Sequence, residues 1–262
     1  MVWQLEGKSA LVCGSTAGIG KATAIELAKL GARITLMARN ETKLQQVVSE
    51  LKAIADLPHD YIVADFNDHT QVEAAIQQYL SSKPAFHILV NNNGGPPAGP
   101  ILDARPESFL LAFEQHLLCN QVLVQSVFPG MKNAGYGRII NIISTSVKQP
   151  LHGLGVSNTI RAAVGNWAKT LANEVAKFGI TVNNVLPGAT LTGRLEQIIE
   201  NKATKNSRTN REIEAEMLAE IPAARFAKPE EIAWAVCYLA SPAAAYVNGI
   251  NVPVDGGRTG NL

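Results

Sequence analysis

Runs of apolar residues of strand length recur along the chain, and between them lie longer stretches whose apolar residues fall at helical spacing. The strand-like runs are 9–13, 33–38, 61–64, 88–91, 138–143, 181–186 and 251–254. Ile19, Ala22, Ile25 and Ala28 repeat at helical spacing after the first run, as do Leu44, Val47, Val48 and Leu51 after the second. The stretch 107–132 reads as one long apolar helix, and Ile160, Ala163, Val164, Trp167 and Leu171 mark another over 157–177. Strands that are apolar almost throughout have no solvent face. Alternated with helices, they require a parallel sheet covered on both sides, hence an α/β fold. No repeat, low-complexity tract or linker interrupts the pattern, so a single domain over 1–262 is expected. The one irregular region is 190–222, rich in charge and in Asn, Thr and Lys. It reads as helices inserted above the sheet, a lid of the kind that covers a ligand.

Composition narrows the function. A formal net charge of +1 gives no basic surface for nucleic acid. No apolar stretch approaches the roughly 18 residues of a membrane span, and the N-terminal residues show no secretory leader. Cys13, Cys119 and Cys237 are few, scattered and odd in number. Neither a disulfide framework nor a metal site follows from them, and a reducing, cytoplasmic location is expected.

The segment after the first strand, GSTAGIG, carries Gly14, Ser15, Gly18, Ile19 and Gly20 and opens the first helix. Small residues there allow a tight turn and let a pyrophosphate approach free backbone N–H groups at the positive end of the helix dipole. The spacing is Gly-x-x-x-Gly-x-Gly, not the commoner dinucleotide fingerprint. At the end of the second strand, an acid would hold the adenosine ribose and repel a 2′-phosphate. This chain has Ala38 and then Arg39, which favours NADP over NAD, although a solvated surface arginine would look the same. Asp65, after the third strand, either accepts from an adenine amino group or caps the next helix.

With GSTAGIG, NNNGG at 91–95, GRIINIIS at 137–144 and NNVLPGATLT at 183–192, the sequence resembles the short-chain dehydrogenase/reductase family. The tail, IPAARFAKPEEIAWAVCYLAS followed by VNGINVPVDGG, is similar to the 3-oxoacyl-acyl-carrier-protein-reductase-like branch. The resemblance spans almost the whole chain, with its motifs in order. It implies a doubly wound, seven-stranded parallel sheet of Rossmann type and a nicotinamide cofactor across the strand ends. It also implies a small carbonyl or alcohol substrate and a homodimer or homotetramer. Asn91 and Gly94 would then border the cofactor, and Ile142 and Ile143 would run beneath it. Pro187 and Gly188 would turn the chain at the nicotinamide, and Thr192 would hydrogen-bond it. An ordinary turn and a helix cap are the plainer readings of the last two.

The family commonly uses Asn, Ser, Tyr and Lys together: tyrosine passes the proton, lysine lowers its pKa and holds the ribose, and serine polarises the carbonyl. Here Ser144 takes the serine place. Ser157 stands where tyrosine is expected, Arg161 where lysine is, and His116 where asparagine is. An aliphatic hydroxyl is a far weaker acid than a phenol and reaches less far. A guanidinium keeps the charge but does not relay a proton. His116, the loop residue His152, or a water held by Ser144, Ser157 and Arg161 are the alternatives for the proton. Two functional classes follow: an oxidoreductase with an altered proton path, or a nucleotide binder with little turnover serving as sensor or partner subunit.

Overall fold

The computed structural model describes residues 3–261. Seven strands, β1 (Ser9–Cys13), β2 (Arg33–Ala38), β3 (Asp60–Val63), β4 (Ile88–Asn91), β5 (Gly137–Ile142), β6 (Ile180–Pro187) and β7 (Asn251–Val254), form one sheet in the order β3-β2-β1-β4-β5-β6-β7. Every neighbouring pair is parallel. The chain winds outward from β1 in one direction and from β4 in the other, so helices fall on both faces.

Strand periodicity divides the core in two. Ala10, Val12, Ile140 and Ile142 face α1 (Gly18–Lys29), α2 (Glu41–Ile54) and α9 (Pro229–Ala240). Leu11, Cys13, Leu89 and Ile139 face α3 (His69–Leu80), α5 (Cys119–Ala134) and α6 (Gly155–Val175). Alternate residues of one strand thus supply opposite cores, which is why the strands read as continuously apolar.

The stretch expected as one helix over 107–132 is two. α4 (Pro106–Phe113) runs through a π-helical turn, Glu114–Leu118, into α5. The wider turn adds a residue without ending the helix, and apolar spacing alone does not register it. The irregular region 190–222 forms α7 (Gly193–Asn206) and α8 (Asn210–Ala219), which bury Leu195, Ile199, Ile213 and Met217 against each other. No described helix is long and apolar enough to cross a membrane.

A ladder of side-chain amides crosses four strands. Asn91 donates to Asn141, Asn141 to Asn184, and Asn184 to Asn251, each at 2.8 Å. The four residues are register partners in adjacent strands, so each amide meets the next. Asn141, fully buried, makes two of these bonds. Replacing Asn141 by Ala strands both neighbours, and a loss of about 2–4 kcal/mol is expected in a denaturant titration. Asn251→Ala, at the half-buried edge, breaks one bond and should cost about 1 kcal/mol.

Candidate active site

The strand C-termini all emerge on one edge, and two adjoining cavities open there, of ≈ 460 and ≈ 480 Å³. They share Gly14, Asn93, Gly94 and Gly95, so the turn after β1 and the loop after β4 form the ridge between them. This is the crevice that a doubly wound sheet leaves where its strand order reverses.

Two glycines of the first turn, Gly14 and Gly18, have φ of 56° and 53°. Both line a cavity, whereas Gly20 lines neither. A Cβ at Gly20 would lie 2.2 Å from the Gly14 carbonyl oxygen, so its task is to let α1 pack against the turn. The helix behind this turn is left open. Asn40 caps α2, Asp68 caps α3 and Thr209 caps α8, whereas α4, α6 and α7 have no side-chain cap and Ala17 offers none to α1. Its N-terminal N–H groups are therefore available to an anion in the cavity.

At the far end of the second cavity stand Ala38, Arg39 and Asp65. Asp65 does not cap the following helix; Asp68 does, by accepting from the Thr70 and Gln71 N–H groups. The Asp65 carboxylate instead accepts from the Asn67 backbone and side chain, at 3.1 and 3.3 Å.

The first cavity runs past Ile142 and Ile143 to Ser144, Ser157 and Arg161 on one side, and to Pro187, Gly188 and Thr192 on the other. The Ser144 hydroxyl accepts from the Ser146 N–H at 3.1 Å, which leaves its own proton free to donate. Ser157 lies in the first turn of α6, with no hydrogen-bond partner among the described residues. Arg161 is one turn further on, 7% exposed, and donates to the Ile142 carbonyl at 2.9 Å. Burial, and then the charge of Arg194, push its pKa down to about 10, so it remains a cation at neutral pH. Thr192 is not a side-chain cap; its hydroxyl donates to the Thr190 carbonyl at 3.2 Å.

Several expected residues are placed elsewhere. Asn91 is turned into the sheet by the strand alternation and joins the amide ladder. Asn92 stands at the cavity, and its side chain donates to the Cys13 and Gly14 carbonyls at 3.2 Å each. Ser15 is fully buried, its hydroxyl without a partner and outside both cavities. His116 is 3% exposed on the π-helical turn and lines neither cavity. Burial and the Arg161 charge lower its pKa to about 2, against a weaker upward pull from the Gly94 backbone. A histidine held neutral in this way is not an imidazolium acid near neutral pH, and its burial keeps it from both cavities. His152 is exposed and also outside both cavities; Leu154 is the member of its loop that reaches in.

No tyrosine and no lysine lines either cavity. Tyr136 donates to the Ala240 carbonyl, Tyr79 pairs with Thr35, and Tyr246 is fully exposed. Sequence reading missed Arg194 as a member of the site, seeing it only as one charge among many in the lid. Its position two residues after Thr192 was the available signal.

The family described as Enoyl-(Acyl carrier protein) reductase matches residues 14–259. The 3-oxoacyl-acyl-carrier-protein reductase of Vibrio cholerae is 35% identical over 259 residues, covering 97% of this chain and 98% of the relative. A tropinone reductase homologue of Arabidopsis thaliana is 32% identical over 260 residues, 99% of this chain and 78% of the relative. Among solved structures, the L-sorbose reductase of Gluconobacter frateurii, complexed with NADPH and L-sorbose, superposes with a TM-score of 0.93. It is 33% identical, with 100% of both chains covered.

The neutral, buried state of His116 has a measurable consequence. Its pKa lies below the unfolded value of 6.5, so unfolding takes up a proton below that pH. Its contribution to stability is complete above about pH 6.5 and is lost as pH falls toward about 2. His116→Asn should flatten the acid limb of the stability curve by up to about 1.4 kcal/mol per pH unit, read from denaturant midpoints across pH.

Proposed function

Because the chain belongs to the short-chain dehydrogenase/reductase family, we propose that it is an NADP(H)-dependent oxidoreductase of a carbonyl compound or secondary alcohol, with a proton path that uses no phenol. One observation carries this reading: two adjoining cavities flank an uncapped helix N-terminus, with an arginine at one end and a serine hydroxyl free to donate at the other. The NADPH held by the sorbose reductase supports the same cofactor here.

Arg39 would hold a 2′-phosphate, with Asp65 beside it for the adenine. The Gly14–Gly18 turn, Ile19 and the α1 N-terminus would hold the pyrophosphate. Asn92, Gly94, Pro187, Gly188 and Thr192 would frame the nicotinamide half, with Ile142 and Ile143 beneath. The fit rests on Ala38 and Arg39 standing at the strand end, where an acid would repel a 2′-phosphate, and on the open helix N-terminus. When bound, the cofactor supplies or accepts the hydride. Ser144 donates a hydrogen bond to the substrate oxygen and polarises it. Arg161 supplies fixed positive charge at that end of the crevice. Ser157, lacking a protein partner, holds a water through which the proton is passed. Helix α7 acts as the lid, since Leu195 and Ile198 line the crevice, and α8 packs against it.

A homodimer or homotetramer is part of this reading. Leu110 and Phe113 on α4 are 70% and 39% exposed, an apolar face that a second copy would cover. The three cysteines are free and buried, which supports a reducing cytoplasm.

The second reading, a nucleotide binder with little turnover, is favoured by the lack of any tyrosine or lysine along the crevice. The two separate in one experiment. A nicotinamide-fluorescence titration should show NADPH binding at least about tenfold tighter than NADH, with Arg39→Ala closing most of that gap. Turnover across a carbonyl panel then supports the oxidoreductase, and binding with no turnover supports the binder. In the oxidoreductase reading, Ser157→Tyr combined with Arg161→Lys should raise activity on neutral ketones by about 10-fold or more. No gain in the double variant would count against a defect confined to the proton route.

A further inference from the structure

The reaction end of the crevice holds two cations and no anion. Arg161 enters from α6 and Arg194 from the first turn of α7 on the opposite wall. Arg194 is half-buried and is held by its bond to the Pro96 carbonyl at 2.6 Å. The two guanidinium groups front the same spot. A Cβ placed on Gly95 would lie 3.7 Å from Arg194 Nη2 and 4.0 Å from Arg161 Nη2. Gly95 has none, and the space between the arginines is left open.

No Asp or Glu lines this cavity, and neither arginine belongs to an ion pair among the described residues. Arg208, Arg225 and Arg258, by contrast, are paired with Glu216, Glu231 and Glu220. Bringing two like charges together out of water is unfavourable unless a counter-charge arrives. Each protein contact here is to a neutral carbonyl, which anchors the side chain without cancelling its charge.

A cofactor seated as proposed above does not supply the counter-charge. Its pyrophosphate is met at the α1 N-terminus, its 2′-phosphate at Arg39, and the ribose hydroxyls near Arg161 are neutral. The missing anion therefore comes with the substrate. A guanidinium presents a planar fork that fits a carboxylate through two parallel hydrogen bonds, and two such forks facing one gap suit a single carboxylate between them. Resting on the oxidoreductase reading, we propose that the substrate is a small oxo acid, or the matching hydroxy acid. Its carboxylate sits between Arg161 and Arg194, and its carbonyl oxygen is turned to Ser144. The substitution of arginine for lysine at position 161 is then a change of substrate class as well as of proton chemistry.

The test separates binding from turnover. Protein saturated with NADP+ is titrated by calorimetry with 2-oxobutanoate, 4-oxopentanoate and the corresponding neutral amides, while NADPH oxidation is followed on the same set. At least one acid should bind about 10-fold or more tightly than its amide, with affinity falling as salt rises. Arg194→Ala should bring that ratio to about 1 while leaving NADPH affinity within about threefold, and Arg194→Lys should keep part of the preference. Thermal melts of both variants establish that they fold. Acid selectivity without turnover would uphold the anion site and sink the oxidoreductase reading. Turnover with acids and amides treated alike would uphold the oxidoreductase and overturn the anion site. Loss of NADPH affinity in Arg194→Ala, with the acid-to-amide ratio unchanged, would overturn it as well, because the pair would then be a clamp on the cofactor.

Discussion

The adjacency of β1 and β4 in a wholly parallel sheet is the constraint on which the remaining architecture rests. Because the chain departs from these two strands in opposite directions, the loops beyond their C-termini separate and leave a crevice between them. The Asn92 amide ties the two loops together by donating to both the Cys13 and Gly14 carbonyls. Gly20 lets the first helix close on the same turn, and no larger residue fits. Beneath the crevice, the ladder from Asn91 to Asn251 fixes the register of four strands, and that register sets where Ser144 and Pro187 emerge.

Polarity along the crevice changes in a way that suits its chemistry. The end formed by the second cavity mixes Arg39 with Asp65, while the middle offers backbone N–H groups and small residues. The reaction end has two hydroxyls, at Ser144 and Ser157, and two guanidinium groups, at Arg161 and Arg194. A phenol beside a lysine is a device for moving a proton. Serine beside arginine moves protons poorly and holds negative charge well. In the function proposed above, Ser157 and Arg161 would work together: fixed positive charge would stabilise an oxyanion, and the proton would pass by water.

Much of this was legible before the structure. The seven strands are where the apolar runs lie, within a residue at their ends, and for the five central ones the reason is that a strand buried on both faces writes itself as a nearly unbroken run. The turn at Gly14 and Gly18 was readable because backbone geometry there demands glycine. The failures share a cause: which way a side chain points is settled by tertiary packing. Asn91 and Asn92 are neighbours in a run of three, yet strand alternation sends the first into the sheet and the second to the crevice. His116 looked like a proton donor until burial beside Arg161 made it neutral. The π-helical turn that carries it leaves no mark in the apolar spacing. Arg194 was hidden among lid charges, since only the folded α7 aims it across at Pro96.

A crystal structure of the protein grown with NADPH bears most directly on this account. The account predicts density along the whole crevice, with the 2′-phosphate at Arg39 and the nicotinamide against Ile142. The hydroxyls of Ser144 and Ser157 should be the protein groups beside the reactive ring carbon. An empty crevice, or a tyrosine hydroxyl brought to that carbon by a rearranged loop, would contradict it.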